Sequence, residues 1–147
     1  MKHLWVILFV FPLFAQDINK HNISIGLFDD KTGFSFIGYT YDIRQTEMDE
    51  FFIGGGTMIV AFTGSVGWKH YYKKSKLSFY SVLSVQGVMH IGFSGFIPTA
   101  SFALEYNLSK STQVKIGGMG LILLGGTSGE DGGDTGVLPF VGLNFRF

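Results

Sequence analysis

Apolar residues alternate with polar or small residues along most of this chain. In the segment 77–91, most odd positions are apolar, as at Phe79 and Leu83, whereas Ser84 and Gln86 occupy even positions. Successive side chains of a β-strand point to opposite faces, so this pattern predicts a strand with one apolar and one polar face. The segments 100–108 and 141–147 repeat it. The pattern therefore predicts an all-β protein.

Short clusters of Gly, Asn, Asp and Ser separate the alternating segments and predict turns. The glycines of 54–56 leave the register of the third segment open and would suit a bulge. Pro139 cannot donate a ladder hydrogen bond, so we expect it to mark the start of the last strand. The chain yields eight candidate strands: 22–28, 34–43, 51–61, 65–72, 77–91, 99–108, 113–124 and 138–147.

The first residues differ from the rest of the chain. Lys2 precedes an unbroken apolar run over 4–14, and the small residue Ala15 precedes a polar stretch. A charged start, a short apolar run and a small residue are the layout of a secretory signal peptide, and the run is too short for a transmembrane helix. We predict a signal peptide over 1–15 and one β-barrel domain over 16–147.

Composition bears on which way the apolar face points. Only 15% of the residues are charged, against about 25% in soluble domains, whereas a soluble barrel needs a charged exterior. On the polar faces, Lys69, Glu105, Lys115 and Arg146 lie singly on separate strands. We predict that they form a charge network in a narrow lumen, with a gate or ion-selective constriction as the alternative, and that the apolar face contacts lipid.

Aromatic residues recur near the ends of the even-numbered candidate strands. Aromatic residues at one common height along the barrel axis are typical of the interface girdle of a transmembrane barrel. His70 lies beside this level and is expected to meet lipid head groups. An even number of strands places both chain ends on one side, and a membrane requires that the barrel be closed. The predicted girdle consists of Tyr41, Trp68, Tyr72, Tyr106 and Phe147.

The last seven residues, VGLNFRF, place apolar side chains at every second position before a terminal phenylalanine. With the signal peptide and the alternating strands, this ending resembles the small eight-stranded outer-membrane β-barrels of Gram-negative bacteria. The resemblance implies an antiparallel up-and-down transmembrane β-barrel in the outer membrane, with both termini in the periplasm. It also implies outer-membrane lipid as the surroundings and recognition by the barrel-assembly machinery, through Val141, Leu143, Phe145 and Phe147.

Two enzyme families with this type of barrel, the lipid A deacylases and the lipid A palmitoyltransferases, use His and Ser. Here His90 lies on a polar face near a strand end and Ser94 follows it, but a deacylase-like His-x-Ser needs Ser where this chain has Gly92. A base and a nucleophile must lie within hydrogen-bond reach, which spacing alone does not establish. A lipid-modifying hydrolase or acyltransferase using His90 with a nearby Ser is therefore the second hypothesis.

Other chemistry has weak support. Glu130, Asp131 and Asp134 are carboxylates in a glycine-rich connection and are candidate calcium ligands, but they lack a recognised ligand spacing. We expect no metal and no cofactor. The chain has no cysteine, and its 11 Lys and Arg balance 11 Asp and Glu, which argues against binding nucleic acid through a basic field.

The leading hypothesis is an outer-membrane barrel with a structural, adhesive or surface-interaction role and no catalytic chemistry. A third hypothesis is a soluble periplasmic, lipocalin-like barrel that binds an apolar ligand. The two barrels differ in the direction of the apolar side chains. Phe102, Leu104, Phe145 and Phe147 face outward in the membrane barrel and line the interior in the soluble one. The oligomeric state and any specific ligand are not evident from the sequence.

Overall fold

The structure, a computed structural model, describes residues 20–91, 93–122 and 135–147. The predicted signal peptide and the candidate calcium ligands Glu130, Asp131 and Asp134 lie outside these residues. In the described part of the chain, no helix has the length and apolar character needed to cross a membrane.

Eight strands form one antiparallel sheet in which each strand pairs with the next along the chain. The first strand also pairs with the last, which closes the barrel. This confirms the prediction of an all-β, eight-stranded, up-and-down barrel. The strands are β1 (His21–Leu27), β2 (Ile37–Gln45), β3 (Asp49–Met58), β4 (Ala61–Lys73), β5 (Leu77–His90), β6 (Phe93–Asn107), β7 (Thr112–Ile122) and β8 (Thr135–Arg146).

Both ends of the described chain meet at one end of the barrel. The amide of His21 donates to the carbonyl of Phe147 at 3.1 Å, and the amide of Phe147 donates to the carbonyl of His21 at 2.9 Å. We call this the terminal end, which also holds the β2–β3, β4–β5 and β6–β7 turns. The opposite, distal end holds the β1–β2, β3–β4 and β5–β6 connections.

Several strands begin earlier than predicted, β4 and β6 by the most residues. β4 starts at Ala61 rather than residue 65, and β6 starts at Phe93 rather than residue 99. Gly64 pairs with Gly87 inside the ladder, and Pro98 pairs with Val85, so neither residue interrupts its strand. The connections at the distal ends of these strands are therefore short hairpins.

The two strand prolines occupy positions where one ladder stops. The β6–β7 ladder begins at Thr99, just after Pro98. Likewise, the β1–β8 ladder reaches only Val141, whereas Pro139 pairs with β7 alone. A proline lacks the N–H that a two-sided ladder needs, so such positions tolerate it. The expectation that Pro139 starts its strand was wrong, because β8 begins at Thr135.

The expected irregularity lies on a neighbouring strand rather than on β3. Asp42 pairs with Phe52 and Arg44 with Phe51, which leaves the intervening residue of β2 as the bulge. The glycines of 54–56 keep an unbroken register with both neighbours. A second irregularity lies on β4 between Tyr71 and Lys73.

The barrel is apolar outside and largely polar inside. Phe102 and Leu104 point outward and are 58% and 43% exposed, whereas Ser101 and Glu105 on the same strand are buried. Phe145 is exposed, and Phe147 is half-buried. The buried apolar side chains include one cluster inside the barrel, formed by Phe52, Tyr71, Tyr80, Val82, Ala103, Met119 and Phe140.

Candidate functional site

The β1–β2 connection folds into the lumen instead of lying on the surface. Asp29, Asp30, Lys31, Thr32 and Ser35 are all buried, and we call residues 29–35 the inner segment. A surface connection would leave such polar side chains in water. The inner segment is therefore part of the barrel interior.

Asp29 shapes the inner segment into a tight turn. Its Oδ2 accepts hydrogen bonds from the amides of Lys31 and Thr32 at 3.2 and 3.0 Å, and from the Thr32 hydroxyl at 2.9 Å. The amide of Gly33 donates to the Asp29 carbonyl at 2.6 Å. Gly33 has φ 68°, a conformation that glycine adopts without steric cost.

The barrel wall provides the space that the inner segment occupies. A Cβ added at Gly38 would contact the side chain of Thr32, and one at Gly56 would contact Ser35. A Cβ added at Gly33 would collide with the side-chain amide of Gln86. Glycine at these positions allows the segment and the wall to approach closely.

Lys31 carries a buried positive charge from the inner segment towards the terminal end. Its Nζ lies 2.8 Å from Asp42 Oδ1 on β2 and 3.1 Å from Glu50 Oε2 on β3. The ammonium also lies 4.9 Å from the ring centroid of Phe52. A buried cation requires such partners, because removal from water costs several kcal/mol per ion.

Lys115 holds the inner segment from the opposite wall. Its Nζ lies 2.9 Å from Asp29 Oδ1 and 2.6 Å from Asp30 Oδ1. All three side chains are almost completely buried. The segment is therefore attached by ion pairs to β2 and β3 on one side and to β7 on the other.

Lys69 and Glu105 form a direct buried ion pair across the lumen, with Nζ 2.6 Å from Oε2. β5 separates their strands in the sheet, so this contact is not between neighbouring strands. The Lys69 ammonium lies 3.8 Å from the ring centroid of Tyr80. Gln113 adds a hydrogen bond to Glu105 Oε1 at 2.7 Å.

Arg146 joins the separate ion pairs into one network. Its Nη2 lies 2.9 Å from Glu50 Oε1 and donates to the Tyr71 hydroxyl at 2.9 Å. Tyr71 in turn donates to Glu105 Oε1 at 3.2 Å. Two lumen acids, Glu50 and Glu105, are thereby connected through one tyrosine and one arginine.

The hydrogen bonds close into a ring around the lumen. Asn144 completes it, because its Nδ2 donates to Gln113 Oε1 at 2.8 Å and to Asn22 Oδ1 at 3.3 Å. Within the described residues, side chains fill the lumen at this level. In order, the ring passes through Asn22, Asp42, Lys31, Glu50, Arg146, Tyr71, Glu105, Gln113 and Asn144.

The four lumen charges predicted from the sequence are placed inside the barrel, but only Lys69 and Glu105 pair with each other. Lys115 and Arg146 pair instead with acids that sequence reasoning missed. Lys31 pairs with Glu50 and with a further missed acid, Asp42. Asp42 and Glu50 share the inward parity of their strands, which the sequence pattern already contained. The other two, Asp29 and Asp30, lay in a predicted turn.

His90 and Ser94 lie exposed at the distal end, on β5 and β6. His90 is opposite Phe93 in the ladder, and Ser94 is opposite Met89. Among the residues described, His90 has no hydrogen bond to a hydroxyl or a carboxylate, and no group of three His, Cys, Asp or Glu is placed to hold a metal.

Aromatic side chains form a band on the outer surface near the terminal end. Asp49 fixes part of it, with its Oδ1 2.8 Å from Trp68 Nε1 and 2.8 Å from His70 Nδ1. Tyr41 and Phe147 both contact His21, at centroid distances of 5.1 and 5.8 Å. Consecutive ring contacts link Phe51, Trp68, His70, Tyr72, Phe79 and Phe102.

The remaining predicted residues also have outer positions. Val141, Leu143 and Phe145 alternate outward along β8, and Tyr106 is exposed on β6.

A scan against models of known protein families matches none, and the searches of curated proteins and of solved structures find no similar protein. The geometry alone therefore carries the functional argument.

Proposed function

We propose that the protein is an outer-membrane β-barrel with both termini in the periplasm and a structural, adhesive or surface-interaction role. The supporting observation is the polarity of the two faces. Apolar side chains cover the outside of a closed barrel, and its inside holds buried ion pairs.

The outer face matches what a lipid bilayer requires. A spanning sheet must pair all its strand edges, because an unpaired backbone group in hydrocarbon costs several kcal/mol. The β1–β8 ladder provides that closure. In water, by contrast, the continuous apolar surface would be an aggregation liability.

The inner face favours a non-conducting barrel. Eight strands enclose an interior just wide enough for side chains, and here the inner segment and the charged ring share that space. Lys31 and Lys115 attach the segment to opposite walls. We therefore propose a closed lumen and place any interaction with other molecules on the outer surface and the two ends of the barrel.

The two alternatives have less support. A lipocalin-like carrier needs an apolar interior, whereas the buried residues here include Lys69, Glu105 and Lys115. A lipid-modifying enzyme using His90 needs a hydroxyl and a carboxylate beside it, and the described residues place neither within hydrogen-bond distance of His90. We therefore propose no catalytic step.

Spin labelling tests the lipid-facing assignment directly, since the chain has no native cysteine. Nitroxide labels at Phe102→Cys and Leu104→Cys should collide more with oxygen, which partitions into lipid, than with a water-soluble nickel complex. A label at Ser109→Cys in the β6–β7 turn is the matched control and should show the opposite preference. Greater nickel than oxygen accessibility at both outward positions would contradict the proposal.

A further inference from the structure

The exposed cations of the protein lie at one end of the barrel. In the described ranges, every exposed lysine or arginine lies at the terminal end, and we call this set the cationic rim. The other described cations are half-buried or buried. The exposed acid at that end is Glu47, and Asp49 is engaged by Trp68 and His70. The cationic rim consists of Arg44, Lys73, Lys74, Lys76 and Lys110.

In the described part of the chain, the surface of the distal end differs from that of the terminal end. The distal β3–β4 and β5–β6 hairpins expose Ile59 and Ile91, which are 86% and 88% accessible. The two ends therefore face different surroundings, and the terminal end is the one suited to an anionic partner.

Hydrogen bonds fix the turn that carries three of the rim lysines. The amide of Ser75 donates to Ser78 Oγ at 3.1 Å, and Ser78 Oγ donates to the Ser75 carbonyl at 2.9 Å. Asn107 on β6 donates from Nδ2 to the Ser75 carbonyl at 2.8 Å and from its amide to the Lys76 carbonyl at 2.9 Å. The lysines are thus presented from a fixed scaffold.

Lys76 of the cationic rim lies beside an outward aromatic side chain, with its Nζ 5.4 Å from the ring centroid of Tyr106. Lys74 Nζ lies 4.7 Å from the ring centroid of the lumen residue Tyr71, at the mouth of the barrel. Tyr and Trp mark the membrane–water interface, and lysine side chains reach from there to the head-group region. In a membrane-embedded barrel, the Lys76 ammonium group lies at the depth of lipid phosphates.

We propose that the cationic rim binds the head groups of anionic phospholipids in the leaflet around the terminal end. This inference rests on the proposed membrane location and adds a lipid preference to it. Clustered Lys and Arg at a membrane surface attract anionic head groups. The attraction weakens with salt, because the partners are exposed charges.

Trp68 is a natural reporter of this binding. The chain has two tryptophans, and one of them, Trp5, lies in the predicted signal peptide. The mature protein therefore has Trp68 alone, on the same strand as Lys73 and in the aromatic band. The protein is reconstituted in phosphatidylcholine bilayers containing increasing fractions of lipid with brominated acyl chains, either phosphatidylglycerol or phosphatidylcholine. Quenching of Trp68 fluorescence then measures the relative association of the two lipids.

We expect the relative association of phosphatidylglycerol to exceed that of phosphatidylcholine by about fivefold or more, the factor that corresponds to about 1 kcal/mol from one cation near the surface. The preference should fall in high salt. A triple variant that combines Lys73→Gln, Lys74→Gln and Lys76→Gln should lower the ratio of phosphatidylglycerol to phosphatidylcholine association to about one. The matched triple substitution to Arg should retain the preference for phosphatidylglycerol. A difference in electrophoretic migration between boiled and unboiled samples confirms that each variant is folded.

The outcomes separate the two proposals. Equal quenching by both lipids, or a phosphatidylglycerol preference that survives the triple Gln substitution, overturns the lipid inference but leaves the barrel in the membrane. Absence of quenching by either brominated lipid overturns the membrane location itself.

Discussion

Lys115 on β7 and Asp30 in the inner segment are joined by a buried ion pair, with Nζ 2.6 Å from Oδ1, although 85 residues separate them in the chain. The other carboxylate oxygen, Asp30 Oδ2, has no hydrogen-bond partner among the described residues. Lys115 is therefore the main compensation for this buried charge, and the pair links the position of the inner segment to the stability of the barrel.

Lys115→Met should strongly destabilise the protein. The substitution leaves Asp30 uncompensated and removes one partner of Asp29, and breaking a buried pair from one side typically costs 3–5 kcal/mol, so we expect about that loss. Urea unfolding of the mature protein in detergent micelles, followed by Trp68 fluorescence, measures the free energy of unfolding.

A double variant separates the charge effect from lost packing. Asp30→Asn combined with Lys115→Met removes both charges of the Lys115–Asp30 pair and leaves only Asp29 without its lysine. It should therefore be more stable than Lys115→Met alone. If the double variant is as unstable as the single one, loss of the Lys115–Asp30 pair is not the cause.

Gly33→Ala should displace the inner segment. The added methyl group meets the Gln86 side chain, and φ 68° disfavours alanine. Lys31 is buried in the native barrel, so trypsin should cleave after Lys31 faster in this variant than in the parent protein. Gly64→Ala is the control, because a Cβ there has no neighbour within 4 Å. Equal cleavage of both variants would argue against a packed inner segment.

The unmodified protein should not conduct ions. The inner segment and the ring of hydrogen-bonded side chains occupy the lumen of a narrow barrel. In planar bilayers, we expect no conductance steps at protein concentrations at which a general porin shows them. Reproducible steps from the folded protein would show that the lumen is open.

Phe147→Ala should reduce assembly more than stability. The backbone hydrogen bonds between Phe147 and His21 do not depend on the Phe147 side chain. The resemblance of the C-terminal segment to outer-membrane barrels, by contrast, implies that the barrel-assembly machinery recognises the aromatic ring during insertion. We expect less folded protein in membranes but a urea midpoint close to that of the parent. Asn144→Ala, which removes a lumen side chain, should give the reverse: normal insertion and lower stability.

The strands were predictable because their signal is local. Alternation within β5 or β6 assigns each side chain to a face without knowledge of its neighbours, and Ser101 and Phe102 lie on the faces expected. The predicted starts of β4 and β6 were too late, because both strands continue through Gly64 and Pro98 to short hairpins at the distal end.

The interior could be predicted only in part. The inward parity of Lys69 and Glu105 is local, but their pairing depends on closure of the barrel, which brings β4 and β6 together across the lumen. The inner segment has the composition of a solvent-exposed turn. Its burial results from partners on β2, β3 and β7, such as Glu50 and Lys115, that no short window of sequence contains.

Cell fractionation combined with a heat-modifiability gel tests whether this barrel spans the outer membrane. We expect the protein to remain in the outer-membrane fraction after carbonate extraction, and we expect boiling to shift its electrophoretic migration. Recovery in the soluble fraction, with migration unchanged by boiling, would contradict the proposed membrane location.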